Sequence, residues 1–152
     1  MASELQALMD YAAVERLINK YANAVDMFDV EAVMELFAPD ARVELDDGDI
    51  TAVGHDELRA LYATFFSRPT EGAAHQMSNV LVDVDGDTAT ASMFLIAYLP
   101  GNEKVQVRGI RYADKLTRIH GEWKFSARKH RVLWQFEAPI SETTKHLAIG
   151  PS

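Results

Sequence analysis

The chain has 152 residues, no cysteine and a formal net charge of -8. Its 48% hydrophobic content is enough for one domain with a real core and too little for two comfortable ones. Disulfides and thiolate chemistry are excluded, and a metal site would be limited to His and carboxylate ligands.

The acidic balance repels phosphate backbones, and Arg108, Arg111, Lys115 and Arg118 make no basic stripe because Asp114 interrupts them. Nucleic acid is therefore not an expected partner. Apolar runs such as Met93 to Leu99 fall far short of the roughly 20 residues a membrane span needs, and Ser3 and Glu4 are not a basic leader. A soluble, cytoplasmic protein with no membrane partner is expected.

Ser3, with Gln6 three residues on, has the pattern of a capping box opening a helix that runs to about Phe28. Val14, Leu17, Ile18, Tyr21 and Val25 recur at the spacing that puts them on one buried face. Asp26 sits on the flank of that face, either as a boundary residue or as a working carboxylate. Asp29 can cap a second helix from Val30 to Phe37, which Pro39-Asp40 closes before a strand from Ala41 to Leu45. Ile50 to Gly54 reads as a short strand. His55-Asp56-Glu57 then start a third helix with Leu58, Leu61, Tyr62 and Phe65 on one face, ending near Pro69.

From Ala73 onward the apolar period is two, the mark of a sheet. Asp85-Gly86 is a hairpin signal, and a two-residue loop there pairs Asn79 with Ser92, Met77 with Phe94 and His75 with Ile96. His120-Gly121 joins a strand from Val105 to Arg118 to one from Glu122 to about Trp134. The order of elements predicts an α+β domain whose helices pack on one face of a curved, mostly antiparallel sheet, curled into a cone with an interior.

Three segments carry a family resemblance: Tyr21 to Asp26 followed by Leu36 to Ala41, then Ala74 to Asn79, then Gly121 to Arg128. They resemble the SnoaL-like family of the nuclear transport factor 2-like superfamily. Its cone-shaped α+β barrel hosts scytalone dehydratase, bile-acid dehydratase, hexachlorocyclohexane dehydrochlorinase and polyketide cyclases. The resemblance runs from Ala13 to about Trp134. It implies that Asp26 and His75 are an active-site pair, that Tyr21 stands where relatives carry a Tyr or a Lys, and that Arg128 matches an active-site Arg. Relatives with a second acid-base residue carry it on the strand that reads Phe94 to Tyr98 here. This chain offers only apolar residues and Tyr98 there, so a mechanism built on one pair is favoured.

Such a pair suits cofactor-free chemistry. A His held by a carboxylate is fixed in one tautomer and becomes a better base for a proton on carbon. Tyr21 could donate to a carbonyl or leaving group, and Arg128 could stabilise negative charge. In the register from His120-Gly121, however, Arg128 shares a face with Lys124, Ser126 and His130, opposite Trp123 and Phe125. It points outward unless a bulge shifts the parity, and Arg131 is then the inward alternative. His55, His120, His130 and His146 read as helix-start, turn or surface residues, with no metal spacing.

Met77, Phe94, Ile96, Tyr98, Ile110 and Tyr112, with Phe65 from the third helix, would line an apolar cavity with polar points at His75, Asn79, Ser92 and Asp26. That lining suits a hydrophobic cyclic or polycyclic substrate. Three functions stay open: a dehydratase, hydratase or eliminating lyase or isomerase; a polyketide cyclase; and a non-catalytic small-molecule binder. A homo-oligomer, dimer or trimer, is also expected. Ala89, Ala91, Met93, Leu95 and Ala97 with Val80, Val82 and Val84 would form an apolar convex face that subunit packing covers. The segment from Phe136 to Ser152 is either a frayed end or a strap anchored by Leu147 and Ile149.

Overall fold

The computed structural model describes residues 2–68 and 72–140. α1 (Ala2–Asp26) buries Val14, Leu17, Ile18, Tyr21 and Val25, the stripe its spacing predicts, while Leu5, Leu8 and Met9 stay exposed. The helix already includes Ser3, and Gln6 donates to Asp10 at 3.2 Å rather than completing a capping box. Asp10 pins the helix to the sheet. Its buried carboxylate accepts from Trp123 Nε1 at 3.3 Å and pairs with Arg118 at 2.8 Å.

α1 stops at Asp26. Phe28 turns into the left-handed region at φ 55, and the amide of Asp29 donates back to Ala24 O at 3.1 Å. Asp29 then caps α2 (Val30–Met34), accepting from Ala32 N at 3.0 Å. This helix is shorter than the sequence predicts, because Phe37 to Asp40 already belong to β1 (Phe37–Leu45). Phe37 pairs with Phe125 in a parallel ladder, and Pro39 sits in the gap of that ladder before Arg42, where a missing N–H leaves no bond unmade.

A 3₁₀ turn (Asp46–Gly48) leads to β2 (Ile50–Val53) and α3 (Gly54–Phe66). The remaining strands are β3 (Ala74–Asp85), β4 (Thr88–Pro100), β5 (Lys104–Ile119) and β6 (Glu122–Pro139). They form one six-stranded sheet in the order β2-β1-β6-β5-β4-β3, antiparallel except where β1 runs beside β6. The sheet is curved but not closed, and α1 and α3 pack into its concave side. Among the described residues, no helix is long and apolar enough to cross a membrane.

Two of the sheet's register shifts decide which of the expected site residues point inward. At the β3–β4 hairpin, Asp85 pairs with Thr88, so the loop is Gly86-Asp87 rather than Asp85-Gly86. Farther out, the register shifts between Ser78 and Leu81, where Asn79 takes φ 51. His75 therefore faces Ala97, not Ile96, and Met77 faces Leu95, not Phe94. The expected grouping of Val80, Val82 and Val84 with Ala89, Ala91, Met93, Leu95 and Ala97 holds as one face, but that face is the core. It is not a convex surface available to a second subunit. The convex side instead carries Phe94, Ile96 and Tyr98, with Leu81, Trp134 and Phe136 exposed nearby.

On β6 a second shift, between the Leu116–Phe125 and Lys115–Ala127 pairs, reverses the parity after Phe125. Arg128 thereby joins Trp123 and Phe125 inside, and Arg131 points outward. Pro69 as the end of the third helix, and Leu147 and Ile149 as anchors of a strap, lie outside the described residues. The start of that last segment, residues 136–139, instead continues β6 beyond the expected end at Trp134, pairing with Lys104 to Val107.

Candidate active site

The last residue of α1 and the second residue of β3 meet across the concave mouth. Asp26 Oδ1 lies 2.6 Å from His75 Nδ1, and Asp26 Oδ2 accepts from the His75 backbone amide at 3.0 Å. Both carboxylate oxygens are thus spent on one residue, fixing the imidazole in place. With Nδ1 facing a carboxylate, the proton belongs on Nδ1 and Nε2 is left as the basic nitrogen. The His75 side chain is only 10% exposed and forms part of the wall of a cavity of about 290 Å³. Asp26 lies behind it and does not line that cavity.

Three tyrosines and their neighbours make the floor. Tyr21 Oη is 3.0 Å from Tyr62 Oη, and Tyr21 meets Tyr62 and Tyr112 edge-on, at centroid distances of 6.3 and 6.0 Å. Burial raises the hydroxyl pKa of both Tyr62 and Tyr112 well above the ordinary value, so both are neutral hydrogen-bond donors. Phe65 and Phe66 of α3 and Phe28 at the strained end of α1 add apolar wall, Phe28 meeting Phe66 edge-on at 5.7 Å. Val25, Leu45, Ile50, Ala97, Leu99, Ile110 and Val132 complete the apolar lining.

The opposite wall is polar. Asp46, Arg68, Arg108 and His130 all line the cavity. His130 is held down to a pKa of about 4, chiefly by burial, with Arg128 and Arg108 adding repulsion against the opposing pull of Asp46. It is neutral at physiological pH. Its Nδ1 lies 3.9 Å from Asp46 Oδ1, too far for a hydrogen bond. Arg108 is pushed below its ordinary pKa by burial first and by Arg68 second, with Asp46 pulling it back.

Of the residues expected at the site, Tyr21, Phe65, His75, Ile110 and Tyr112 line the cavity. Phe94, Ile96 and Tyr98 do not, because the bulge at Asn79 puts them on the convex side. Asn79 is the bulge residue itself and is exposed, and Ser92 faces Leu81. Met77 points inward but packs against the core away from the cavity lining. Arg128 is inward yet lies beneath the floor. Its guanidinium carbon is 4.0 Å from the Tyr21 ring centroid and 4.2 Å from that of Tyr112, and its charge is matched by Asp114. His130, expected at the surface, is a wall residue. Its inward parity depends on the β6 bulge, and nothing in the local sequence marks that bulge. Among the described residues, no group of three His, Asp or Glu side chains could hold a metal ion.

The SnoaL-like domain family matches residues 6–129. Among solved structures, the chain is similar to a proposed scytalone dehydratase of Novosphingobium aromaticivorans, at 22% identity and a TM-score of 0.80, covering 89% of this chain and 91% of that one. An NTF2-like protein with a cystatin-like fold from the same species matches at 26% identity and a TM-score of 0.74, covering 87% of each chain. The type 3 hexachlorocyclohexane dehydrochlorinase of Novosphingobium barchaimii matches at 20% identity and a TM-score of 0.76, covering 91% of this chain and 95% of that one. No curated protein sequence matches.

Proposed function

Because the chain belongs to the SnoaL-like domain family, we propose that it is a lyase or isomerase of the dehydratase, hydratase or elimination type. It acts on a hydrophobic cyclic or polycyclic small molecule through Asp26 and His75. The 2.6 Å contact between these two residues, with His75 forming a wall of a mostly apolar cavity, carries the proposal.

In the proposed mechanism, His75 Nε2 takes a proton from a carbon next to an electron-withdrawing group, and Asp26 stabilises the imidazolium that forms. The electrons move toward the activating oxygen, which one hydroxyl of the Tyr21–Tyr62 pair can meet as donor while it accepts from the other. In an elimination, the imidazolium returns its proton to the departing hydroxide; in an isomerisation, to another carbon. A general acid–base step of this kind needs no cofactor. Arg128 supports the positions of Tyr21 and Tyr112 from below rather than touching the substrate.

Polyketide cyclisation stands second, since the carboxylate that would act as base there, Asp26, is engaged by His75 on both oxygens. A homo-oligomer remains part of the proposal. Leu81, Trp134 and Phe136 replace the buried alanine face as its contact surface.

The test is solvent exchange. Cyclic ketones and β-hydroxyketones incubated with the protein in D₂O, followed by NMR and mass spectrometry, are expected to show deuterium at the carbon next to the carbonyl or loss of water. Both signals should vanish in His75→Ala. Exchange that persists in that variant, or none across steroid, terpenoid and aromatic ketones, rejects the proposal in favour of a binding module.

A further inference from the structure

Arg108 is a half-buried cation with no hydrogen-bonded or ion-paired partner among the described residues. Its Nε is fully buried and makes no hydrogen bond, and no ion pair joins its side chain to a carboxylate among the described residues. Arg68, carried at the end of α3 with its guanidinium 5.5 Å above the Phe65 ring, stands close enough to repel it. Two arginines therefore face one cavity with Asp46 as the carboxylate beside them, so the wall keeps a positive excess that an entering anion would offset.

Its place relative to the dyad is fixed by the ladders. His75 pairs with Ala97, and Ala97 pairs with Arg108, so the three form one row across the concave face. Adjacent strands are about 4.8 Å apart, which puts the His75 and Arg108 backbones roughly 10 Å apart. The residue between them is the smallest side chain that still marks the face. A flat ring can lie over Ala97 with one edge at His75 and the other at Arg108.

We infer that the pocket selects an apolar cyclic acid, its carboxylate seated on Arg108 and Arg68 and its reacting carbon beside His75. This deepens the function proposed above and rests on it for the reacting carbon only. A planar carboxylate matches the guanidinium fork, which a neutral carbonyl fills on one side only. Charge count favours a single negative charge. The two arginines set against Asp46 leave one net positive charge, so a phosphate dianion would meet the Asp46 carboxylate unscreened. Neutral His130, whose Nδ1 is also buried without a hydrogen bond, adds a further polar contact on the same wall.

Calorimetric titration of the full chain with 2-naphthoate and with 2-naphthamide tests the inference, since the two probes share ring and shape and differ in the charge and in the N–H₂ that replaces one carboxylate oxygen. The acid is expected to bind about tenfold tighter than the amide or better, and added salt should weaken the acid alone. Arg108→Gln should erase the ratio and Arg68→Gln reduce it. His75→Ala should keep it, so loss of turnover and loss of acid selection are separate readouts. Equal binding of the two probes overturns the inference. So does a preference that survives in a folded Arg108→Gln/Arg68→Gln protein, or the absence of saturable naphthoate binding at millimolar concentration. Should Arg108→Gln fail to fold, the wild-type ratio, its salt dependence and Arg68→Gln decide the matter.

Discussion

Arg128 and Asp114 close on each other in the core through two hydrogen bonds of 2.7 Å, with 1% and 0% of their side chains exposed. The guanidinium is walled by the rings of Tyr21, Tyr112 and Phe125, all within 4.4 Å of its carbon. Burial works against the charge on Arg128, but the Asp114 carboxylate more than offsets it and keeps the arginine ionised. Asp114→Ala strands that charge and is expected to cost about 3–5 kcal/mol. Replacing both residues with apolar side chains of similar size should cost much less. Urea unfolding of the single and double variants checks this, and equal losses would mean that the pair stabilises the fold in its own right.

The dyad should be separable from the fold. His75→Ala is expected to abolish turnover while leaving the unfolding midpoint nearly unchanged. Asp26→Asn should lower kcat by about 10²–10⁴, because its amide N–H₂ can meet Nδ1 and favour the wrong tautomer. Steady-state rates on a substrate found by the exchange assay, set beside circular dichroism melts, make the comparison. A parallel fall in stability and rate would assign both residues a packing role.

His130 predicts a pH dependence with a definite sign. Its folded pKa of about 4 lies below the ordinary 6.5, so on acidification the unfolded chain takes up this proton first. The contribution is therefore fully present above pH 6.5 and is lost as pH falls from there toward 4. It amounts to about 3 kcal/mol at most. Stability of His130→Gln should fall less steeply than wild type across that window. Parallel stability–pH curves for the two proteins would remove His130 as the cause.

Gly109 on β5 lies under Trp134 on β6, and a methyl group there would run into the indole ring. Trp134 is 43% exposed, so it can swing away toward solvent. Gly109→Ala is expected to cost about 1–3 kcal/mol and shift the tryptophan emission to the red. Unchanged emission would mean that the backbone yields instead of the ring.

Much of the architecture follows from residues that are close in sequence. The α1 stripe from Val14 to Val25 is set by the helical period, the Asp29 cap by its own side chain, and the His120-Gly121 turn by two residues that both adopt positive φ. Asp26 and His75 were legible only through the family resemblance, since no local spacing ties a helix end to a distant strand. Sidedness, by contrast, came from the assembled sheet. A strand alternates its side chains with a period of two, so one extra residue at Asn79 carried His75 and Met77 to the core side and left Phe94, Ile96 and Tyr98 outside. One more beside Ser126 carried Arg128 and His130 inward. Neither bulge has a sequence mark of its own. Each is held by the burial it creates on both flanking segments at once, and that burial exists only after the whole sheet has closed over α1.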